Sequence, residues 1–295
     1  MTYIHSWRFR VRSYEVDPEL RVRPSVYQAY LEEGAVQASA AVGYDYGWYR
    51  AHQRVWVART IITRIFNPAL YGDELEMRTW VADFKTVQSH RDYELRRVAD
   101  NVLVLRARTN WVFLNTATMR PERLLPEFSS AFAPADRLQD IDLSLPSAAQ
   151  VETPFSFTES RIAQYHEVDS AHHVNNTVYT GWVDQAILNA FRETAWTPTR
   201  WLADGADFPL FSRRIEFIRS ALDNDPVRIS TRPTALSGDG IVWRTEIRRI
   251  PGDELLITDE SARRFTLKGV PHALPEDLRL TLMAQTQEGG QPSAN

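Results

Sequence analysis

Residues Tyr165 to Tyr179 read YHEVDSAHHVNNTVY and set acids, imidazoles and amides directly ahead of an amphipathic run, TVYTGWVDQAILNAF. The apolar positions of that run recur with the helical period, so a helix of good length is predicted from Thr177 onward. A carboxylate and several hydrogen-bonding groups delivered at a helix N-terminus make a candidate place for chemistry. The same residues also suit plain capping by Asn175 or Asn176 in a polar loop. The stretch alone supports both readings.

An altered copy of the stretch lies 152 positions earlier. Glu15-Val16-Asp17 matches Glu167-Val168-Asp169, and Val26-Tyr27 matches Val178-Tyr179. The same offset joins Ala69-Leu70 to Ala221-Leu222, Asp73 to Asp225, and Leu103 to Leu255. It also carries Glu94, Arg96 and Arg97 onto Glu246, Arg248 and Arg249. One ungapped offset linking acid, helix and strands points to an internal duplication.

Each copy shows the same order of elements. Residues 8 to 16 alternate as a strand does, and Pro24-Ser25 opens a helical run whose apolar positions include Val26, Tyr30, Leu31, Ala35, Ala38 and Val42. Gly43 is its expected stop. From Val55 follow VWVARTIITRIF, DELEMRTWVADF, HRDYELRRV and VLVLRARTNWVFLN, strand-like segments separated by turn signals, as in an antiparallel meander. These boundaries give a first domain over 1–128, a linker over 129–155 rich in Ser, Ala, Pro and Asp, a second domain over 156–269, and a polar, disordered tail over 270–295.

Composition removes several function classes. The 295 residues carry a net charge of -4 with no basic block, so no nucleic-acid partner is expected. Cysteine is absent, which excludes disulfides, thiolate metal sites and a cysteine nucleophile. The seven histidines are scattered apart from His172-His173, so no metal site is expected, and no cofactor motif occurs. No apolar run is long enough to span a bilayer, and the N-terminus lacks a signal-peptide core, giving a soluble cytoplasmic expectation.

The segments FRVRSYEVD, GDELEMRTWV, TNWVFLNTATMRPERLLPE and YHEVDSAHHVNNTVYTGWV resemble the fatty acyl-ACP thioesterases of bacteria and plant plastids, over roughly residues 5 to 268. That resemblance implies an α+β double hotdog: two antiparallel sheets, each wrapping a long central helix, packed as a pseudo-dimer. It also implies hydrolysis of fatty acyl thioesters, acyl-ACP in preference to acyl-CoA, with acyl carrier protein or CoA thioesters as substrate partners. Chemistry would fall to the second hotdog, while the first helps shape the acyl pocket. A homodimer of tandem hotdogs stays open as an assembly.

By the resemblance Asp169 is the first candidate, as nucleophile or general base, with His173 four residues on as proton carrier. Of Asn175 and Asn176, one would cap the helix and leave backbone amides of its first turn free to receive the thioester oxygen, so the pair is assigned to oxyanion positioning. Two family positions are altered: the catalytic asparagine is Ala171 here, and a strand Glu-Cys pair becomes Ser220-Ala221. Glu167 and Asp184 rank lower as compensating acids. In the first copy Asp17 is kept, but Arg21, Arg23 and Pro24 stand where the second has His173, Asn175 and Asn176, so an ion pair is expected at Asp17. Single-domain hotdog thioesterases can use an aspartate at the Asp17 position or a helix glutamate near Glu32 or Glu33, which makes a second site in the first copy conceivable. The arginines beside Asp17 nevertheless favour a structural first copy. Two other functions are a non-catalytic acyl-binding protein and an enoyl-thioester hydratase or dehydratase.

Overall fold

The computed structural model describes residues 2–135, 149–150 and 153–284. Contacts divide the chain into two compact units that interleave in sequence. The first gathers Met1–Ser144 with Asn175–Gly181 and Ser212–Ile218, and the second takes Leu145–Val174, Trp182–Phe211 and Arg219–Asn295. The expected linker and boundaries therefore do not coincide with the compact units, because two short segments of the second copy pack with the first.

In the first unit, helix α1 (Pro24–Ala40) begins with Pro24 in its first turn, where the missing N–H is harmless, and is followed by Gly43 at φ +93°. It carries Tyr27, Tyr30, Leu31 and Ala38 inward. The strands are β1 (His5–Arg10), β2 (Arg54–Ile65), β3 (Glu74–Phe84), β4 (Gln88–Arg97) and β5 (Leu103–Asn115), in the sheet order β1-β3-β4-β5-β2 and antiparallel throughout. Gly34 lets α1 approach the sheet, since a Cβ there would lie 3.4 Å from Met77 Cγ. Helix α2 (Tyr46–Ala51) is capped by Asp45, whose carboxylate accepts from Trp48 N.

In the second copy the corresponding strands are β6 (Phe157–Ile162), β8 (Pro226–Leu236), β9 (Gly240–Arg249) and β10 (Glu254–Arg264), with β6-β8-β9-β10 as neighbours. Strand β7 (Leu210–Phe217) pairs through Ser212–Glu216 with β2. Helix α4 (Asn176–Arg192) is the copy of α1, and α5 (Pro198–Asp204) that of α2.

The duplication persists in the hydrogen bonding. His5 pairs with Thr79 and Phe157 with Thr231; Leu75 pairs with Arg97 and Val227 with Arg249, all at the 152-residue offset. Even the register shifts recur, between Val81 and Asp83 and between Pro233 and Ala235. Bulges set local twist, so keeping one in both copies keeps the curvature that wraps each sheet on its helix.

Three expectations need correction. The strand expected over residues 8–16 ends at Arg10, and Ser13–Glu15 form a 3₁₀ turn, because Glu15 Oε2 accepts from Arg12 N at 2.7 Å and folds the chain back. The start of the expected linker is helix α3 (Glu127–Phe132), whose Phe128 and Phe132 are buried with Val81 and Phe113. Residues 136–148 and 151–152 of that linker lie outside the described residues. In the expected tail, helix α6 (Glu276–Met283) buries Leu278 and Leu282, and Asp277 accepts from Trp196 Nε1 at 3.0 Å. Residues 285–295 lie outside the described residues.

Candidate functional site

The residue that converges with the asparagines of the HVNN element is Glu32 of α1. Asn175 Nδ2 donates to Glu32 Oε1 at 3.1 Å and to Oε2 at 3.4 Å, and Asn176 Nδ2 donates to Oε2 at 2.9 Å. Gln28, one turn earlier on α1 and buried, donates from Nε2 to Asn176 Oδ1 at 2.9 Å. All four belong to the first compact unit. The half-buried Glu32 carboxylate is thereby fixed in place by two amides, one of which is fixed in turn by a third.

Asn175 has a second task. Its Oδ1 accepts from Thr177 N at 2.8 Å and from Thr177 Oγ1 at 2.6 Å, while its carbonyl accepts from Val178 N at 3.0 Å. It caps α4, so capping and site formation coincide in one side chain. The Thr177 and Val178 amides are consumed by this cap. The expectation that first-turn amides stay free for an oxyanion therefore does not hold for these two.

Asp169 is half-buried and orders its own turn. Its Oδ1 accepts from Ala171 N at 2.8 Å, and its N–H donates to the His173 carbonyl at 2.9 Å. Among the described residues no hydrogen bond or ion pair joins the Asp169 carboxylate to the His173 ring. His172 sits at φ +62° and Leu20, its repeat counterpart, at the same value, so both turns share one backbone. Asp17 repeats the arrangement, accepting from Glu19 N at 3.0 Å; it also accepts from Arg21 N at 2.9 Å and is ion-paired through Arg21 Nε at 3.1 Å. The ion pair expected there is present, but only Arg21 forms it; Arg23 donates to the Tyr14 carbonyl.

The lower-ranked acids are occupied. Glu167 accepts from Arg161 Nη2 at 2.6 Å, Gln164 N at 2.9 Å and Trp182 Nε1 at 3.0 Å. Its counterpart Glu15 binds Arg12 and Tyr30 at equivalent positions. Both tie the turn before the helix to the helix itself. Asp184, the counterpart of Glu32, is ion-paired with Arg263. Ser220 presents its carbonyl to Arg249 Nη2 at 2.7 Å, and Ala221 is fully buried.

In the sequence Glu32 is one of two adjacent helix acids near the place where single-domain hotdog thioesterases use a glutamate, with nothing to tie it to the asparagines. Gln28 carries no signal. Their contacts with the asparagines span 143 to 148 sequence positions, a distance that periodicity within either segment does not reach.

An antiparallel sheet wrapped on one long helix, present twice in tandem, defines a double hotdog. Comparison with known proteins gives the same result. Residues 2–132 match the acyl-ACP thioesterase N-terminal domain, and residues 171–256 match the thioesterase superfamily. Oleoyl-acyl carrier protein thioesterase 2, chloroplastic, of Arabidopsis thaliana is 26% identical over 201 residues, covering 63% of this chain and 55% of that protein. The chain thus spans about half the length of the curated relatives it matches. The 12:0-ACP thioesterase from Umbellularia californica superposes with a TM-score of 0.72 at 19% identity, over 89% of this chain and 94% of that one. An acyl-ACP thioesterase from Bacteroides thetaiotaomicron gives 0.68 at 16% identity, over 89% and 98%. The chain is thus similar to the acyl-ACP thioesterases and shares the double hotdog fold with them.

Proposed function

We propose that the protein hydrolyses fatty acyl thioesters, acyl-ACP in preference to acyl-CoA, and releases the free fatty acid. The observation that carries this reading is the convergence of Asn175 and Asn176 on the Glu32 carboxylate at the head of α4, with Asn176 held in turn by Gln28. The preference for acyl-ACP rests on the relatives alone.

A thioester carbonyl is electrophilic enough that a placed water and a general base suffice. Glu32 takes a proton from water, and the water oxygen attacks the carbonyl carbon. The tetrahedral oxyanion faces the N-terminal end of α4, whose dipole and leading N–H of Asn176 favour negative charge. Collapse breaks the C–S bond, and the leaving thiolate takes the proton from Glu32. Acid, thiol and the starting carboxylate result. In this reading Asp169 orders the turn that leads into Asn175 and Asn176.

Thiol release from acyl-ACP and acyl-CoA panels tests the function directly. Turnover with higher kcat/KM on acyl-ACP supports it. Tight acyl binding without thiol release would instead support a binding protein, and hydration of enoyl thioesters a hydratase.

A further inference from the structure

Inside the first unit, Arg91 of β4 is buried at 6% exposure, and among the described residues no carboxylate pairs with it. Its guanidinium lies 5.7 Å from the Phe132 ring, and its hydrogen bond, from Nη1 to Thr79 Oγ1, is long at 3.4 Å. Thr79 pairs in register with His5, whose buried Nε2 makes no hydrogen bond of normal geometry among the described residues and whose polar neighbour from α1 is the Gln37 side chain. Around them stand Tyr3, its hydroxyl 3.4 Å from His5 Nδ1, and Tyr49, bonded to Ser39 Oγ at 2.9 Å and to Trp56 Nε1 at 3.0 Å. The Arg91 charge acts on His5, Tyr49 and Tyr93 alike. Burial first, and the Arg91 charge second, lower the His5 pKa. A cation taken out of water without an acid partner is costly, so its presence asks for a reason.

The second copy supplies the comparison. At the 152-residue offset, His5, Ser39, Tyr49 and Arg91 become Phe157, Phe191, Trp201 and Trp243. There Phe191 packs 4.8 Å from Trp201 and 5.3 Å from Trp243, ring centre to ring centre, and all three are buried. The fold fills these positions with aromatic rings in one copy and with hydrogen-bonding groups in the other. Nothing in the hotdog scaffold itself calls for the cation.

We infer that the interior of the first unit around Arg91, His5 and Tyr49 is a subsite for a carboxylate carried on an alkyl chain. A guanidinium matches a carboxylate in two-pronged geometry, and the surrounding imidazole and hydroxyls add donors. Ser39 and Glu32 lie on the same helix, seven residues and so about 10 Å apart along its axis. Resting on the thioesterase reading, the subsite holds the far end of a chain whose thioester lies at Glu32. The carboxylate has two sources: the distal end of a dicarboxylic acyl thioester, or a released fatty acid bound back as product.

The test compares CoA monothioesters of α,ω-dicarboxylic acids with unsubstituted acyl-CoAs of matched length, on wild type and Arg91→Met. Wild type should favour the carboxylate-ended chains, and Arg91→Met should lower that preference roughly tenfold or more, as for loss of a hydrogen bond between charged groups. Competitive inhibition by free fatty acid, weakened in Arg91→Met without any dicarboxylate preference, would assign the subsite to product. If no thioester is hydrolysed at all, the thioesterase reading fails separately. Calorimetry of the free dicarboxylate then decides, and binding to wild type but not to Arg91→Met sustains the subsite. Melting separates a structural role. A melting temperature equal to or above wild type agrees with a cation kept for a ligand. A drop of several degrees with no selective change in preference, inhibition or binding would overturn the proposal.

Discussion

Glu32 receives both HVNN amides, whereas Asp169 receives the N–H of Ala171 two residues away, and that difference separates a placed acid from a turn-forming one. Asn176 holds Glu32 on one side and is itself held by Gln28, so its amide is the hinge of the cluster. Asn176→Ala should slow turnover by roughly tenfold or more through loss of carboxylate positioning, with kcat falling more than KM changes, as steady-state kinetics would show. The HVNN asparagines were legible in the sequence from their type and place before a helix. Their partner was not, because a contact between residues more than 140 positions apart leaves no trace in either local pattern.

At the scale of elements, the two long helices and the four strands after Val55 follow from the period of their apolar residues and from turn residues between them. Elements fixed by a single side chain did not follow. The 3₁₀ turns before α1 and α4 depend on Glu15 and Glu167, each of which satisfies donors from the turn and from the helix. Glu15→Ala and Glu167→Ala should each cost about 2 to 3 kcal/mol in urea unfolding, since buried donors lose their acceptor. Helices α3 and α6 were hidden by polar, proline-rich surroundings, although Phe128 and Phe132, and Leu278 and Leu282, keep the four-residue spacing of one helical face. Leu278→Ala should cost about 2 to 5 kcal/mol, read as a lowered melting temperature. No measurable change would mean that α6 does not hold the fold.

At the scale of the whole molecule, duplication preserved the frame and let the side chains diverge. Pairing register, bulges and the turn-helix ties recur at one offset, yet Glu32 faces amides while Asp184 is paired with arginine. The first unit keeps polar groups where the second packs Phe191, Trp201 and Trp243. The repeat was readable from identities such as Glu15-Val16-Asp17 and Glu167-Val168-Asp169. Part of the loss of symmetry was readable too, as in Arg21, Arg23 and Pro24 against His173, Asn175 and Asn176, but the different partners of Glu32 and Asp184 were not. Asp184→Asn should weaken an ion pair with the largely buried Arg263 and lower stability by about 3 kcal/mol, measured by urea unfolding.

The most direct test sets Glu32→Gln against Asp169→Asn, each assayed for thiol release on the acyl-ACP that wild type turns over best. The Glu32→Gln side chain keeps the shape of the acid but cannot accept the water proton, whereas Asp169→Asn would still accept the Ala171 N–H and hold the turn. The prediction is a loss of about 100-fold or more in kcat for Glu32→Gln, with Asp169→Asn within about tenfold of wild type. Full turnover by a folded Glu32→Gln, or an inactive but folded Asp169→Asn, would contradict the assignment of the chemistry to Glu32.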